Sequence, residues 1–238
     1  MTMINHLADA RSVEPFGYED LFRFMSTMTG DEKHSDAATS TLDVIWTLYD
    51  RVLHVDPLDL DHPNRDRFYL SKGHGPMAFY AVLAAKGFVD PAVLPEFASA
   101  TSILGHHPDR RRIPGVEISS GSLGQGLALG IGASLGIGLA RGEGRVFVLM
   151  GDGELDEGSN HEAIALAGRL GIGRLTAIVV DNDSAYLGWP EGIAARFAVE
   201  GWETAAVDGR DHDAIFDALT VAHPDRPLVI VARVGRRT

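Results

Sequence analysis

Residues 146–158 read VFVLMGDGELDEG. Five apolar residues lead to a Gly-Asp-Gly turn, and three further acids, Glu154, Asp156 and Glu157, follow at once. An unbroken apolar run of strand length suits a strand buried on both faces, and such strands deliver their loops to the carboxyl edge of a parallel sheet, where ligands bind. An acid on that edge is placed for a cation or a polar ligand. The competing reading is an ordinary strand-to-helix turn in which Asp152 only caps or solvates the loop, so the rest of the chain has to decide.

Around this stretch the sequence alternates. RDRFYLSKGHG (65–75) reads as a short strand into a glycine turn, and GPMAFYAVLAAKG (75–87) as a helix with Pro76 in its first turn and Gly87 as its stop. The strands RVFVLMG (145–151), RLTAIVVDN (174–182), WETAAVDG (202–209) and RPLVIVARV (226–234) are separated by helical SNHEAIALAGRLG (159–171), IAARFAVEG (193–201) and DHDAIFDALTVA (211–222). Such alternation means βαβ units around a parallel sheet, an α/β fold with helices on both faces. Upstream, YEDLFRFMSTMTG (18–30) and TSTLDVIWTLYDRVLHV (39–55) carry apolar residues at helical spacing. In SSGSLGQGLALGIGASLGIGLARG (119–142) glycine and alanine recur through an apolar helix, which permits close backbone approach.

Composition narrows the classes. With 238 residues, 45% of them hydrophobic, the chain reads as one domain over 1–238, with 1–17 as an N-terminal extension. A net charge of -12 argues against a duplex nucleic-acid binder or an anionic membrane surface, and Arg110–Arg112 is too short a basic run to reverse that. The absence of cysteine excludes disulfides, thiolate metal sites and cysteine nucleophiles and, with no signal segment or spanning apolar run, points to the cytoplasm.

The chemistry is carried by a pair. Asp152 follows one buried strand and Asn182 ends the next, thirty residues later with one helix between, so adjacent strands set the two oxygens side by side. Mg2+ is held by one or two protein oxygens together with phosphate and water, and this pair supplies the protein half. Gly151 and Gly153 let the backbone pass close to the phosphate-bearing ligand.

The segment 151–182, from GDGELDEG to VVDN, resembles the thiamine diphosphate signature, and LSKGHG (70–75) with PGVEISSGSLGQG (114–126) narrows the resemblance to transketolases. It runs from Tyr18 to Val234 and covers only the N-terminal, diphosphate-binding domain of that family. The resemblance implies that Asp152, the Asn182 side chain and the Ser184 main-chain oxygen ligate Mg2+, and that Gly153 approaches the diphosphate. It implies that His74, His107 and His34 serve the diphosphate and the reacting carbon, and that Gly121 and Leu123 contact the cofactor's rings. Glu157 corresponds to an acid buried between two active sites of a dimer, Glu162 to a second acid nearby, while Glu154 and Asp156 read as loop acids. The implied reaction moves a two-carbon ketol unit from a ketose to an aldose, with free or phosphorylated sugars as substrates.

Three departures stand out. The family's glycine-rich and proline-containing loop around the first histidine becomes DEKHSDAA (31–38), the loop DSAYLGWPEG (183–192) is short, and the chain stops at VARVGRRT (231–238) before the family's pyrimidine-binding and C-terminal domains. The expectation is therefore the N-terminal subunit of a split transketolase, active only with a separate C-terminal subunit in an α2β2 assembly. The alternatives are the equivalent subunit of another thiamine diphosphate enzyme and a non-catalytic, transketolase-like scaffold.

Overall fold

Five strands, β1 Arg67–Leu70, β2 Val146–Gly151, β3 Leu175–Asp181, β4 Glu203–Asp208 and β5 Leu228–Arg233, form one all-parallel sheet in the order β1-β2-β3-β5-β4. The structure is a computed structural model and describes residues 16–28, 30 and 36–235. The helices are α1 Tyr18–Thr27, α2 Asp36–Thr39, α3 Leu42–Thr47, α4 Met77–Ala85, α5 Gly126–Leu139, α6 Gly158–Leu170, α7 Ile193–Ala198 and α8 His212–Leu219.

Period-two alternation divides the buried strands between two cores. Phe147 and Leu149 of β2 and Ile178 and Val180 of β3 pack with α1, α3, α4 and α8. Val146, Val148 and Met150, with Ala177 and Val179, pack with α5, α6 and α7 on the other side. Both faces of the central strands are covered, which explains their unbroken apolar sequence. At the end of the sheet β4 is largely exposed, and its first and last residues are Glu203 and Asp208.

The expected helix over 39–55 forms in two parts. After α3 the chain widens into a π-helical turn, Leu48–Val52, in which Leu53 N–H reaches Leu48 O at 2.8 Å. Tyr49, in that turn, sits among the rings of Phe68, Phe79 and Phe88 at 5.6, 6.0 and 5.7 Å. The π turn thus coincides with the densest aromatic contact in this core.

Helix α5 has two kinds of glycine. A β-carbon at Gly130 would come within 2.5 Å of Val148 Cγ2, and one at Gly126 would overlap the Ser71 side chain. These two let the helix sit directly on β2 and on the end of β1. Gly132 and Gly136 meet nothing within 4 Å and face away from the sheet. Leu129 and Leu139 are exposed on the same helix, as are Leu166 and Leu170 on the neighbouring α6. The division makes opposite predictions for denaturant unfolding of the isolated chain. Gly130→Val should destabilise it by about 2 kcal/mol through overpacking, whereas Gly136→Ala should stabilise it by about 0.5–1 kcal/mol through helix propensity.

Candidate functional site

The carboxyl ends of β1, β2 and β3 lie side by side, with Leu70 paired to Leu149 and Gly151 to Val180. Just beyond them the motif segments converge. Gly73 of LSKGHG lies against the backbone of Gly121, so close that a β-carbon on Gly73 would stand 2.6 Å from Gly121 N. Gly121 has φ +134°, and a β-carbon there would come within 3.1 Å of the His107 ring. A side chain at either position would separate the two loops.

That contact places the histidines. The rings of His74 and His107 meet edge to face at 5.4 Å, both exposed at the surface of the site. His106 turns away and packs on Phe97 at 5.6 Å, so the neighbouring histidine is not part of this pair. Partial burial, and then the proximity of His74 and His106, hold the His107 imidazole below the usual histidine range. His34 lies outside the described residues.

Asp152 is 1% exposed. Its carboxylate accepts hydrogen bonds from the Ser184 amide at 2.6 Å, the Ser184 hydroxyl at 2.5 Å and the Ala185 amide at 3.0 Å. Asp183 bends the loop for this with φ +59°. The Ser184 carbonyl lies against Gly153, where a β-carbon would come within 3.3 Å of it. Asn182 Oδ1 is buried and has no hydrogen-bond partner. A buried acceptor left without a donor is costly, and a cation removes that cost. Among the described residues no group of three or more His, Cys, Asp or Glu is arranged to hold a metal. One carboxylate and one amide oxygen match a hard ion whose remaining ligands are phosphate and water, so these residues fit Mg2+ held against a diphosphate.

The four acids of the opening stretch part company. Glu154, expected as a loop acid, is 3% exposed. It accepts from Ser71 Oγ, from Gly124 N at 2.9 Å and from Gly151 N at 3.4 Å. The physical reason is a single 3-10 turn, Gly153–Asp156, that rolls the side chain inward under the sheet edge. Asp156 stays in the loop and accepts from the amides of Tyr186 and Leu187, both at 3.3 Å. Glu157 is exposed at the start of α6, and Glu162 is exposed one turn on. Neither is brought to Asp152 within the chain. Leu123 is half-buried in the loop before α5, beside Gly124.

No expectation falls on Lys72. It is 9% exposed, its methylenes run along Gly151, and Nζ donates to His74 O at 3.3 Å. Burial pushes its ammonium below the usual lysine range, and Asp152 and Glu154 oppose that shift. The signal is present in LSKGHG, where a lysine stands between an apolar strand and a glycine turn.

A cavity of about 230 Å3 opens beside Asp152, bounded by Asp181, Asp183, Trp189, Glu191 and Arg233. A larger one, about 750 Å3, lies at the opposite edge between the end of α5 and the starts of β2 and β3. The glycine turns, Asp152 and Glu154 are at the carboxyl edge, and parallel sheets bind ligands there.

Known proteins place the chain in a family. Residues 25–235 match the family model described as transketolase, thiamine diphosphate binding domain. The chain belongs to the transketolase family. It is 34% identical over 210 residues to a protein of Actinobacillus succinogenes named as one subunit of an apulose-4-phosphate transketolase, spanning 85% of this chain and 76% of that protein. It is 53% identical over 240 residues to a Rhodococcoides fascians protein named ferredoxin fas2, spanning 100% of this chain and 79% of that one. Iron–sulfur clusters hang on cysteine thiolates, and a chain with no cysteine offers none of those ligands, so that name does not transfer. A transketolase structure from Pichia stipitis superposes with TM-score 0.77 at 26% identity, covering 91% of this chain and 35% of that one. The chain thus spans about a third of that full-length transketolase.

The histidine pair gives a measurement. In an NMR titration His107 should lose its proton below the ordinary histidine value of about 6.5. His74→Ala should move that midpoint upward, because it removes the neighbouring imidazole that holds His107 down. An unchanged midpoint would separate the two rings electrostatically.

Proposed function

We propose that this chain is the diphosphate-binding subunit of a transketolase, holding thiamine diphosphate through Mg2+ and transferring a two-carbon ketol unit from a ketose to an aldose in concert with a second chain. The observation that carries the reading is the buried, unpartnered Asn182 amide oxygen on the strand end next to Asp152. Asp152, Asn182 and the Ser184 carbonyl would hold the ion, with Gly151 and Gly153 leaving room for the diphosphate. When bound, the cofactor supplies a carbanion centre that the protein's own side chains cannot generate.

The chain's residues do the rest. His107, neutral near pH 7, is suited to accept a proton from a sugar hydroxyl, and His74 at 5.4 Å is suited to return one. His34 would act with them from the preceding segment, and Gly121 and Leu123 would bear on the cofactor's rings. The hydrogen bonds from the 184–187 segment to Asp152 and Asp156 would hold the Ser184 carbonyl beside the ion.

A separate partner is supported by two things. One relative of similar length bears the name of a subunit. The outer face of α5 and α6 leaves Leu129, Leu139, Leu166 and Leu170 in water, beside Glu157 and Glu162. Apolar surface of that kind marks an association site. The partner would supply the pyrimidine-binding and C-terminal domains, two copies of each chain forming the assembly, with sugars or sugar phosphates as substrates. Among the described residues no helix is long and apolar enough to cross a membrane, and we place the assembly in the cytoplasm.

Asp152→Ala or Asn182→Ala should abolish Mg2+-dependent retention of thiamine diphosphate, read by calorimetry on the chain with its partner. Retention equal to the parent in both variants places the ion elsewhere. His74→Ala or His107→Ala should lower turnover about a hundredfold or more while leaving the melting temperature nearly unchanged. A ketol-transfer assay should be silent for the chain alone and active on adding the partner. Robust turnover by the isolated chain would falsify the split arrangement, and partner binding without cofactor binding would indicate a scaffold.

A further inference from the structure

We infer that Glu154 is a positioning residue that locks the three cofactor-facing turns into one rigid cradle. The inference rests on the proposed thiamine diphosphate site and goes beyond it, because Glu154 is not among the residues expected to touch cofactor or metal. Its carboxylate reaches all three turns. Oε1 accepts from Ser71 Oγ at the end of β1 and from Gly124 N in the loop before α5, and Oε2 accepts from Gly151 N at the end of β2. Ser71 Oγ in turn accepts from Gly126 N at 3.0 Å. The main-chain oxygen of Glu154 accepts from Asn160 Nδ2 at 2.7 Å, which adds the first turn of α6.

Each turn fixed in this way carries a residue of the proposed site. Ser71 is followed by Gly73 and His74, Gly124 is preceded by Gly121 and Leu123, and Gly151 is followed by Asp152 and Gly153. A buried carboxylate needs donors and a counter-charge. It has three donors, and Lys72 is the neighbouring cation, lying along Gly151. Glycine-rich turns are floppy by composition, with no side chains of their own to hold them. A shared acceptor beneath them supplies the rigidity that a preorganised site requires.

The test compares Glu154→Ala, Glu154→Gln and Ser71→Ala with the parent, using two readouts. The first is amide hydrogen exchange on the full chain without cofactor. The amides of Gly124, Gly126 and Gly151 should be protected in the parent, should exchange at least tenfold faster in Glu154→Ala, and should be partly rescued in Glu154→Gln, which keeps one acceptor oxygen. The second is titration of thiamine diphosphate with Mg2+ into the chain assembled with its partner. Glu154→Ala should weaken binding about tenfold to a hundredfold, as expected when buried donors lose a charged acceptor, with Glu154→Gln intermediate. Parent-like exchange and affinity in Glu154→Ala would overturn the inference. If that variant does not fold, Ser71→Ala decides, since faster exchange at Gly126 with several-fold weaker binding supports the cradle and parent-like values refute it. Failure of the parent itself to bind thiamine diphosphate counts against the proposed function, and the exchange readout, which needs no cofactor, still judges the cradle.

Discussion

The backbones of Gly73 and Gly121 touch, and the rest of the carboxyl edge is arranged around that contact. Two loops from distant parts of the chain can meet at van der Waals range only where neither carries a side chain. Once they meet, His107 has a glycine to lie on and His74 has a ring to lean against. The contact also brings the loop before α5 over the end of β1, where Gly126 sits on Ser71. A methyl group at either glycine would open the site from its centre.

Charge is placed with the same economy. The chain is strongly acidic, yet beneath the sheet edge two buried carboxylates, Asp152 and Glu154, share the neighbourhood with one buried ammonium, Lys72. Each carboxylate is satisfied by backbone donors, so neither depends on an ion pair alone. Asp152 gathers the loop that follows β3, Glu154 gathers the turns that follow β1 and β2, and Asp156 steadies the next two amides of the 183–192 loop. A short run of acids thereby organises loops that are far apart in sequence.

Much of this was legible in the residues. The five strands were visible because strands buried on both faces leave unbroken apolar runs, and even the exposed β4 stood out by its place between two helical patterns. Asp152 and Asn182 could be paired because one helix between two strands fixes their ends side by side. The role of Glu154 was not legible. Its burial depends on a one-turn 3-10 helix whose direction no periodicity announces, and its partners lie 83 and 30 residues away. The split of the α5 glycines was equally hidden, since Gly130 and Gly132 look alike until the helix is laid on β2. Likewise His106 and His107 are separated only by the packing of Phe97 against one and Gly121 against the other.

The exposed strand β4 has a consequence for the molecule at high concentration. An uncovered sheet edge offers unpaired amides and carbonyls to any similar edge, and growth of fibres starts there. If two copies approached edge to edge, Glu203 and Asp208 of each would bring four carboxylates to the new ladder. Charged side chains on an edge strand oppose such pairing. At this edge the sheet therefore ends in a strand that discourages its own extension.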